Sequence, residues 1–445
     1  MFRKILIANR GEIAVRIIRT CREMCIPTVA IYSQADRDSL HVKFADEAFC
    51  VGGPASRDSY LNIPNILSGA DVLQVEAIHP GYGFLSENAR FVKILEECNF
   101  KFIGPSQEAI ELGSHKARTC DAMKTAGLPI VGGFRENTED EQELWKRVKS
   151  LGYPVMLKAS AGGGGKGMRI VHNEKELAKM VPVVKKEAEI SFGSGEFYVE
   201  KYLEDVRHIE FQVVADNFGE IMHLGERECT IQRRHQKVIE ESPSPFLDEP
   251  LREKMAEAAI EGARFLKYRN LGTMEFLVDS KRNFYFIEIN TRIQVEHPVT
   301  EMVFGLDLVK EQIQLASGKK LSLKQLQAKP KGHCLECRIL AEDIDRGFMP
   351  STGKIDGLYI PGGLGVRVDT HIYSGYEITP YYDSLLAKLI CWGKDRKEAI
   401  TRCYNALGEF NITGIKTNIP LLKRIMKDKD FIEGNFTTDY LEKMV

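Results

Sequence analysis

The chain begins with two short apolar runs separated by an amphipathic segment. KILIAN and PTVAIYS are typical of strands, and EIAVRIIRTCREMC between them repeats apolar residues at helical spacing. A strand, a helix and a second strand in this order predict a parallel sheet with right-handed crossovers. The turn after the first strand, NRGE, lacks the three spaced glycines of a dinucleotide fingerprint, so the pattern disfavours NAD or FAD binding.

Two further strand-like runs, VEAIHPGYGFLSEN and FKFIGPS, end in glycine-containing turns. Loops at the carboxyl ends of parallel strands are where open α/β sheets bind their ligands. These turns therefore predict a ligand-binding edge, with simple chain reversal as the alternative.

Four consecutive glycines lie between two other apolar runs. YPVMLKAS and MRIV flank AGGGGKG, which is typical of a hairpin with a flexible tip. The Walker A pattern is not met, because Lys166 is followed by Gly167. The exposed amides of such a tip can close over anionic oxygens, so we expect a mobile lid over phosphates, with a flexible linker as the alternative.

Two carboxylates face each other in a second predicted hairpin, LGTMEFLVDSKRNFYFIEIN. If its turn is centred within SKRN, Glu275 lies opposite Glu288, Asn290 shares their face, and Leu277 and Phe286 are their apolar neighbours. Opposed carboxylates destabilise a sheet unless something compensates. Three oxygen donors without thiol or imidazole predict a hard-cation site, most simply Mg²⁺ held with nucleotide phosphates. A frustrated, exposed hairpin is the alternative.

The segment TRIQVEHP follows this hairpin directly. Arg292, Gln294 and Glu296 occupy alternate positions, so they share the face of Asn290 if the chain stays extended. An arginine fork suits a carboxylate, bicarbonate or phosphate, and Glu296 beside it could act as a general base. An ordinary Arg–Glu salt bridge is the alternative. The basic run RRHQK at 233–237 predicts either a solvated loop or an anion clamp.

Composition narrows the class of protein. The 445 residues carry 61 Lys+Arg and 63 Asp+Glu, a net charge of -2, which argues against a nucleic-acid binder. No apolar run approaches the ~18 residues that span a bilayer, so we expect no membrane partner and a cytoplasmic, multidomain enzyme. The ten cysteines are too sparse for a disulfide scaffold. Cys334 and Cys337 fall on opposite faces of a predicted strand, which favours core cysteines over a zinc site.

Five motifs together resemble biotin carboxylase, the ATP-grasp component of acetyl-CoA carboxylase. They are IANRGEIAVRI, HPGYGFLSEN, KASAGGGGKGM, RRHQKV and FIEINTRIQVEHPVTE, and the resemblance covers essentially the whole chain. It implies an α/β fold (α+β overall) of ATP-grasp architecture. The expected parts are an N-terminal parallel α/β pre-ATP-grasp domain (1–112), a linker and mobile glycine-rich lid (113–203), and a large mixed C-terminal domain (204–445).

The resemblance also implies the site residues. Positions that match the family's ATP contacts are Lys116, Lys158, Gly163, Gly164, Gly165, Lys166, Glu200, Lys201, Leu203, His208, Gln232 and His235. Glu275, Glu288 and Asn290 match the ligands of Mg²⁺, or of Mn²⁺ in its place, in agreement with the hairpin argument. The bicarbonate pocket matches Arg292, Gln294, Val295 and Glu296, with Glu296 as base. Lys237 is expected to steady the reacting group, and the biotin contacts match Arg338, Tyr82 and Asp383.

The implied reaction is ATP- and bicarbonate-dependent carboxylation of biotin through carboxyphosphate, the first half-reaction of acetyl-CoA carboxylase in fatty acid synthesis. A component of a two-subunit pyruvate carboxylase or of another acyl-CoA carboxylase is the alternative. A different ATP-grasp ligase and a silent regulatory protein are less favoured, because every expected pocket residue is present.

The sequence contains no Met-Lys-Met biotinylation site. We therefore expect biotin on a biotin carboxyl carrier protein, and a carboxyltransferase, both on separate chains. The first helix, with Arg19 and Glu23, matches the family's dimer contact and predicts a homodimer.

Overall fold

The computed structural model describes residues 1–136, 140–159, 168–192, 195, 197–321, 324–325 and 329–444. Over these ranges it contains three main sheets of five, four and eight strands, together with short two-stranded ribbons. Within the same ranges, every helix is too short or too polar to cross a membrane.

The amino-terminal sheet is parallel, as the apolar pattern predicts. Its elements are β1 (Ile5–Ile7), α1 (Gly11–Glu23), β2 (Thr28–Ser33), α2 (Leu40–Phe44), β3 (Glu47–Gly52), α3 (Ile63–Val72), β4 (Ala77–His79), α4 (Ala89–Glu97), β5 (Lys101–Phe102) and α5 (Gln107–Ser114). The strands pair in the order β3-β2-β1-β4-β5, all parallel. Asn9, just after β1, donates from Nδ2 to the backbone oxygens of Pro80 and Tyr82, both at 2.7 Å. The loops after β1 and β4 therefore meet at one edge.

The middle sheet confirms that the two apolar runs on either side of the four glycines pair as a hairpin, while the lid stays a prediction. Its elements are α6 (Lys116–Thr125), β6 (Gly133–Glu136), α7 (Glu141–Leu151), β7 (Val155–Ala159), β8 (Met168–Val171), α8 (Glu174–Phe192) and β9 (Phe197–Lys201). Strands β7 and β8 are antiparallel, with Val155 opposite Val171. The tip, with Gly163, Gly164, Gly165 and Lys166, lies outside the described residues.

The third sheet is built from the rest of the chain. The elements after β9 are β10 (Arg207–Ala215), β11 (Ile221–Arg233), β12 (Gln236–Ser242), α9 (Glu249–Phe265), β13 (Asn270–Val278), β14 (Phe284–Asn290), α10 (His297–Phe304), α11 (Leu308–Ala316), β15 (His333–Leu340), β16 (Glu342–Asp343), β17 (Met349–Pro350), β18 (Gly353–Lys354), β19 (Gly357–Tyr359), β20 (Val366–Thr370), β21 (Glu377–Ile378), β22 (Leu385–Gly393), α12 (Arg396–Glu409), β23 (Asn411–Thr413), α13 (Ile419–Ile425), α14 (Lys429–Glu433) and α15 (Tyr440–Met444). The sheet is antiparallel throughout, in the strand order β14-β13-β10-β11-β12-β15-β22-β20. The domain boundaries at 112/113 and 203/204 stay predictions.

The eight-stranded sheet has one apolar face, and its other face carries charged groups together with apolar residues such as Val214 and Cys334. On the apolar face, Met274 and Phe276 of β13 pack with helix α9, and Cys337 and Leu389 pack with helix α12. Side chains alternate along a strand, so the residues between them point the other way. This charged face holds the candidate site.

The predicted pairing of Glu275 with Glu288 is confirmed, but the prediction that Phe286 shares their face is wrong. The register shifts by one residue between Glu275 and Phe276, so Phe286 pairs with Phe276 and joins the apolar core. The backbone N–H of Phe286 donates to the Pro129 carbonyl at 2.8 Å instead of continuing the regular ladder. This β-bulge turns Phe286 away from the carboxylates.

The chain does not stay extended through TRIQVEHP, which corrects that expectation. Helix α10 begins at His297, with Glu296 as its N-cap residue at φ -81° and ψ 10°. Pro298 lies in the first turn, where its fixed φ suits a helix and its missing N–H costs nothing. Glu296 therefore reaches the charged face from a helix start rather than from a strand.

The cysteine prediction is confirmed for β15. Cys334 and Cys337 are both buried, and they belong to different apolar clusters on the two faces of the sheet. The Sγ atom of Cys337 lies 3.5 Å from that of Cys403 in helix α12. These thiols pack the core.

Candidate active site

Lys237 lies at the centre of three buried carboxylates. It follows a two-residue turn at 234–235, whose positive φ angles of 49° and 63° close a tight hairpin between β11 and β12. Its Nζ donates to Glu210 Oε2 at 2.5 Å, Glu275 Oε1 at 2.9 Å and Glu296 Oε1 at 2.7 Å. The basic run is therefore more than a solvated loop, because its last residue enters the charged face.

Burial opposes ionisation of Lys237 and Glu296, yet both are charged. Burial lowers the pKa of Lys237, but the anionic groups around it outweigh this effect and raise that pKa well above its usual range. Burial raises the pKa of Glu296, but Lys237, Arg338 and Arg227 outweigh it and hold that pKa below its usual range. The pair is therefore ionised at neutral pH.

Arg338, on β15, holds the same carboxylate from the other side. Its Nε donates to Glu240 Oε1 at 2.5 Å and its Nη2 donates to Glu296 Oε2 at 2.9 Å. Each oxygen of Glu296 thus faces a different cation. A carboxylate held in this way is ionised but weakly basic, and a ligand that draws either cation away would raise its basicity.

The three predicted metal ligands lie together. Glu275 Oε1 accepts hydrogen bonds from Asn290 Nδ2 at 2.7 Å and Gln294 Nε2 at 2.8 Å. Burial and the charge of Glu275 raise the pKa of Glu288, which lies 4.0 Å from Lys116 Nζ. Opposed carboxyl groups, of which Glu288 has a raised pKa, gain from a cation between them, so this oxygen-rich donor set fits Mg²⁺.

The predicted bicarbonate residues also converge. Arg292 donates from Nη1 to Gln294 Oε1 and from Nη2 to Asn290 Oδ1, both at 3.0 Å. Its Nε lies 3.0 Å from Glu87 Oε2, a partner that sequence reasoning missed. The Val295 carbonyl accepts from Lys388 Nζ at 2.9 Å.

The predicted biotin residues border the same region. The hydroxyl group of Tyr82 donates a hydrogen bond to Glu12 Oε1. Burial and Glu12 raise the pKa of Tyr82, and Asp383 and Arg338 lie close enough for their charges to act on it. Asp383 is exposed, with its Oδ1 accepting from the Leu385 N–H at 3.0 Å.

Two of the predicted phosphate-binding lysines lie beside each other. Lys158 forms an ion pair with Glu200, and burial together with the charge of Lys116 lowers the pKa of Lys158 to about 8. Burial opposes the charge of Lys116, but Glu288 and Glu200 outweigh it and raise its pKa. Two adjacent cations favour a polyanion such as a phosphate chain.

The other predicted nucleotide contacts differ in their surroundings. His208 lies between Gln232 and Glu275. Its Nδ1 is 2.7 Å from Gln232 Nε2, and its Nε2 is 2.7 Å from Glu275 Oε2. Lys201 is engaged with backbone, since its Nζ donates to the carbonyls of Gly152 and Tyr153. Leu203 is half-buried, and His235 is exposed on the 234–235 turn.

Sequence reasoning missed several charged groups of the site. Arg227 is fully buried, and it donates to Glu210 Oε1 at 2.5 Å and Gln212 Oε1 at 2.8 Å. A usable signal was present, because polar residues alternate along the otherwise apolar β10 at 208, 210 and 212. The missed residues are Glu87, Glu210, Arg227 and Glu240.

Comparisons with known proteins agree with this geometry. Residues 1–110 match the model for "Biotin carboxylase, N-terminal domain", 336–443 that for "Biotin carboxylase C-terminal domain", and 115–324 that for "Carbamoyl-phosphate synthase L chain, ATP binding domain". The chain is 54% identical over 443 residues to Biotin carboxylase of Nostoc sp., covering 100% of this chain and 99% of that protein. The chain belongs to the biotin carboxylase family.

Members of the biotin carboxylase family that serve different complexes are similarly close. A pyruvate carboxylase subunit of Methanothermobacter thermautotrophicus is 51% identical over 443 residues, covering 100% of this chain and 90% of that protein. The biotin carboxylase domain dimer of Hydrogenobacter thermophilus 2-oxoglutarate carboxylase, solved with MgADP, ADP and bicarbonate, superposes with a TM-score of 0.96. It is 51% identical, with 100% of this chain and 98% of that chain covered.

Membership of the biotin carboxylase family confirms the predicted fold and enzyme class. The fold is a mixed α/β ATP-grasp architecture, and the chain is an ATP-dependent carbon–nitrogen ligase. The roles of individual residues stay predictions.

Proposed function

We propose that this site carboxylates biotin with ATP and bicarbonate, through carboxyphosphate, in the cytoplasm. One arrangement carries the proposal: Glu296 lies between Lys237 and Arg338, beside the oxygen donors around Glu275. It brings a base, two anion-binding cations and a cation-binding hairpin onto one face of a sheet. The MgADP and bicarbonate found in the Hydrogenobacter domain support the choice of substrates.

ATP is held between the middle sheet and the charged face. Lys116 and Lys158 bind its phosphates, with the GGGGKG segment, which includes Lys166, as the proposed lid. Glu200, Lys201 and Leu203 form the proposed adenine hinge, and His208, Gln232 and His235 are further contacts. Glu275, Glu288 and Asn290 would hold Mg²⁺ or Mn²⁺. The ion supplies positive charge to the phosphate oxygens.

Bicarbonate is bound by Arg292, Gln294 and the backbone at Val295. Arg292 exchanges its contact with Glu87 for the anion, for which its planar fork is suited. Glu296 removes the bicarbonate proton, and the resulting oxygen attacks the γ-phosphorus to give carboxyphosphate and ADP. When Lys237 turns toward the transferred phosphoryl group, Glu296 loses a cation and becomes a stronger base.

Carboxyphosphate then separates into CO₂ and phosphate, and the phosphate takes the ureido proton of biotin. Arg338 holds the negative charge that develops on the ureido oxygen, and Tyr82 and Asp383 border the ring. The ureido nitrogen attacks CO₂ to give carboxybiotin. A positioned donor at developing charge contributes about 10²–10³-fold.

Purified protein should release ADP only when bicarbonate is present, and free biotin should increase the rate. Glu296→Gln and Arg338→Ala should abolish carboxybiotin formation while the circular dichroism spectrum stays unchanged. Exposed residues offer matched controls, Glu253→Gln and Arg57→Ala, which should keep wild-type rates. Biotin-stimulated turnover in Glu296→Gln at the wild-type rate would refute the role of the base.

We propose that biotin arrives on a biotin carboxyl carrier protein and that a carboxyltransferase on another chain uses the product, in fatty acid synthesis. A second candidate, the biotin carboxylase component of a pyruvate or other acyl-CoA carboxylase, is favoured by the similarity to the Methanothermobacter pyruvate carboxylase chain. Co-purification followed by an assay with acetyl-CoA, propionyl-CoA and pyruvate separates them. We also propose a homodimer, which light scattering tests.

A further inference from the structure

Two buried carboxyl groups, which the proposed mechanism does not use, lie behind Arg338. Glu240 on β12 pairs directly with Glu336 on β15, and neither residue has exposed surface. Glu240 Oε1 accepts from Arg338, but its Oε2 has no hydrogen-bond partner among the described residues. Neither oxygen of Glu336 has one there either.

The charges that face this pair do not balance. Glu336 is adjacent to Lys388, which lies 3.0 Å from Glu12 Oε1, while Asp369 on β20 is paired with Arg367. Apart from the ion pairs Asp369–Arg367, Glu87–Arg292 and Glu288–Lys116, the described chain places six carboxyl groups around four cations, which would leave two excess negative charges if every group were ionised. These groups are Glu12, Glu210, Glu240, Glu275, Glu296 and Glu336, with Arg227, Lys237, Arg338 and Lys388.

Uncompensated charge in a buried cluster is costly, so protons settle on the carboxyl groups with the fewest partners. Burial raises the pKa of Glu336 well above its usual range, and the charges of Glu240 and Glu296 add to this effect. Burial also raises the pKa of Glu240, to about 7, although Arg338 opposes the shift. Opposed carboxyl groups whose charges act on each other in this way titrate as a coupled pair.

We propose that Glu240 and Glu336 form a proton-holding carboxyl pair, and that Glu240 is a positioning residue which anchors Arg338 for the carboxylation of biotin. This inference rests on the proposed function. With one proton in the pair, Glu336 carries it and ionised Glu240 holds the guanidinium through Nε. With two protons, Glu240 becomes neutral and the charge-assisted bond to Arg338 is lost. The second proton comes from solvent and returns to it, and no bond to substrate is made or broken.

Glu240→Gln tests this role. The kcat for biotin carboxylation should fall about tenfold to hundredfold, because a loosened guanidinium is misplaced. The KM values for ATP and bicarbonate should stay within about twofold, because Glu240 touches neither proposed pocket. The wild-type rate should rise with pH between about pH 6 and about pH 8, and this limb should disappear in the variant.

Glu336→Gln is the companion variant, since an amide mimics the protonated carboxyl group. It should retain the pH limb and lose less than about threefold in rate. Glu241→Gln is the matched control on the same strand, because Glu241 faces the opposite side and pairs with His333 and Arg396. The rise of its rate with pH should remain even if the melting temperature of Glu241→Gln falls.

An unchanged pH limb and rate in Glu240→Gln would overturn the inference, as would equal inactivation by Glu336→Gln. If Glu240→Gln does not fold, infrared spectra of the wild type and Glu336→Gln decide the matter. A protonated-carboxyl band at neutral pH should be present in the wild type and weaker in Glu336→Gln. Wild-type protein without bicarbonate-dependent ADP release would instead refute the proposed function, which separates the two failures.

Discussion

Two buried charge clusters in this molecule are built differently. Near the amino terminus, Asp36 accepts from Arg10 Nε at 2.6 Å and Nη2 at 2.8 Å, and from the Tyr60 hydroxyl at 2.6 Å. One cation there meets one carboxylate, and Tyr376 and Tyr382 close the cluster from the other end of the chain. The cluster around Lys237 has more carboxyl groups than cations among the described residues. A balanced cluster joins two parts of the fold, whereas an unbalanced one keeps charge available for ligands.

Removing the central cation should have the largest effect. Lys237→Met leaves Glu210, Glu275 and Glu296 mutually repelling, so we expect kcat to fall at least about 10²-fold and the free energy of unfolding to drop by about 3–5 kcal/mol. Turnover and urea denaturation measure the two losses.

A double variant sharpens this prediction. Adding Glu210→Gln should restore part of the stability of Lys237→Met, because one repelling charge is removed, but should not restore turnover. Recovery of activity in the double variant would show that Lys237 acts only on stability.

Breaking the balanced cluster should affect stability alone. Asp36→Asn leaves Arg10 buried without its carboxylate, so we expect a loss of about 3–5 kcal/mol in the free energy of unfolding. The kcat at low temperature, where the variant is folded, should stay near the wild-type value. Asp38→Asn, two residues away and exposed, is the control and should unfold like the wild type.

One carboxyl group from each cluster, Asp36 and Glu240, should contribute to stability with opposite dependence on pH. Burial alone would raise the pKa of Asp36, but Arg10 outweighs this effect and lowers that pKa. The stabilising contribution of Asp36 is therefore present above about pH 4 and is lost as pH falls. Burial raises the pKa of Glu240 to about 7, so stability is lost as pH rises from about 4.5 towards 7, by at most about 1.4 kcal/mol per pH unit.

Glu240→Gln should make the second slope shallower, because only the contribution of Glu336 then remains in the pair, and should keep the first, as measured by urea denaturation across this range. A wild-type slope that persists in the variant would assign that titration to another group.

The smallest effect is expected at a surface pair. Arg264 and Glu261 on helix α9 form an ion pair with more than half of each side chain exposed, at 59% and 56%. Solvent screens such a pair, so Arg264→Ala should change the free energy of unfolding by about 0–1 kcal/mol and leave turnover intact. A larger loss in the free energy of unfolding would mean that solvent exposure does not explain why the buried clusters matter more than this pair.

The local pattern of apolar residues and turns was enough to predict several of the strands and their pairing. The parallel amino-terminal sheet, the hairpin of β7 and β8 and the opposition of Glu275 and Glu288 all follow from apolar periodicity and turn chemistry over short distances. The exceptions have local causes as well. A bulge turned Phe286 to the other face, and Pro298 started a helix that ended the expected alternation at Glu296.

Charge partners across the large sheet were beyond such reasoning. Glu240 faces Glu336 because β12 pairs with β15, which lies about 90 residues further along the chain. Glu87 reaches Arg292 from the amino-terminal part of the chain. Contacts of this kind depend on strand order and on how parts of the fold pack, neither of which has a short-range signature.

The sequence alone determined the identity and spacing of the donor groups, because strand periodicity and a short turn set which side chains share a face. Tertiary structure decided which carboxylate meets which cation and which carboxyl group is left without one. The physical reason is that a buried charge is stabilised or penalised by neighbours within a few ångströms. In this fold, Glu296 takes its two cations from β12 and β15, whereas Glu336 has no hydrogen-bond partner within the part of the chain described.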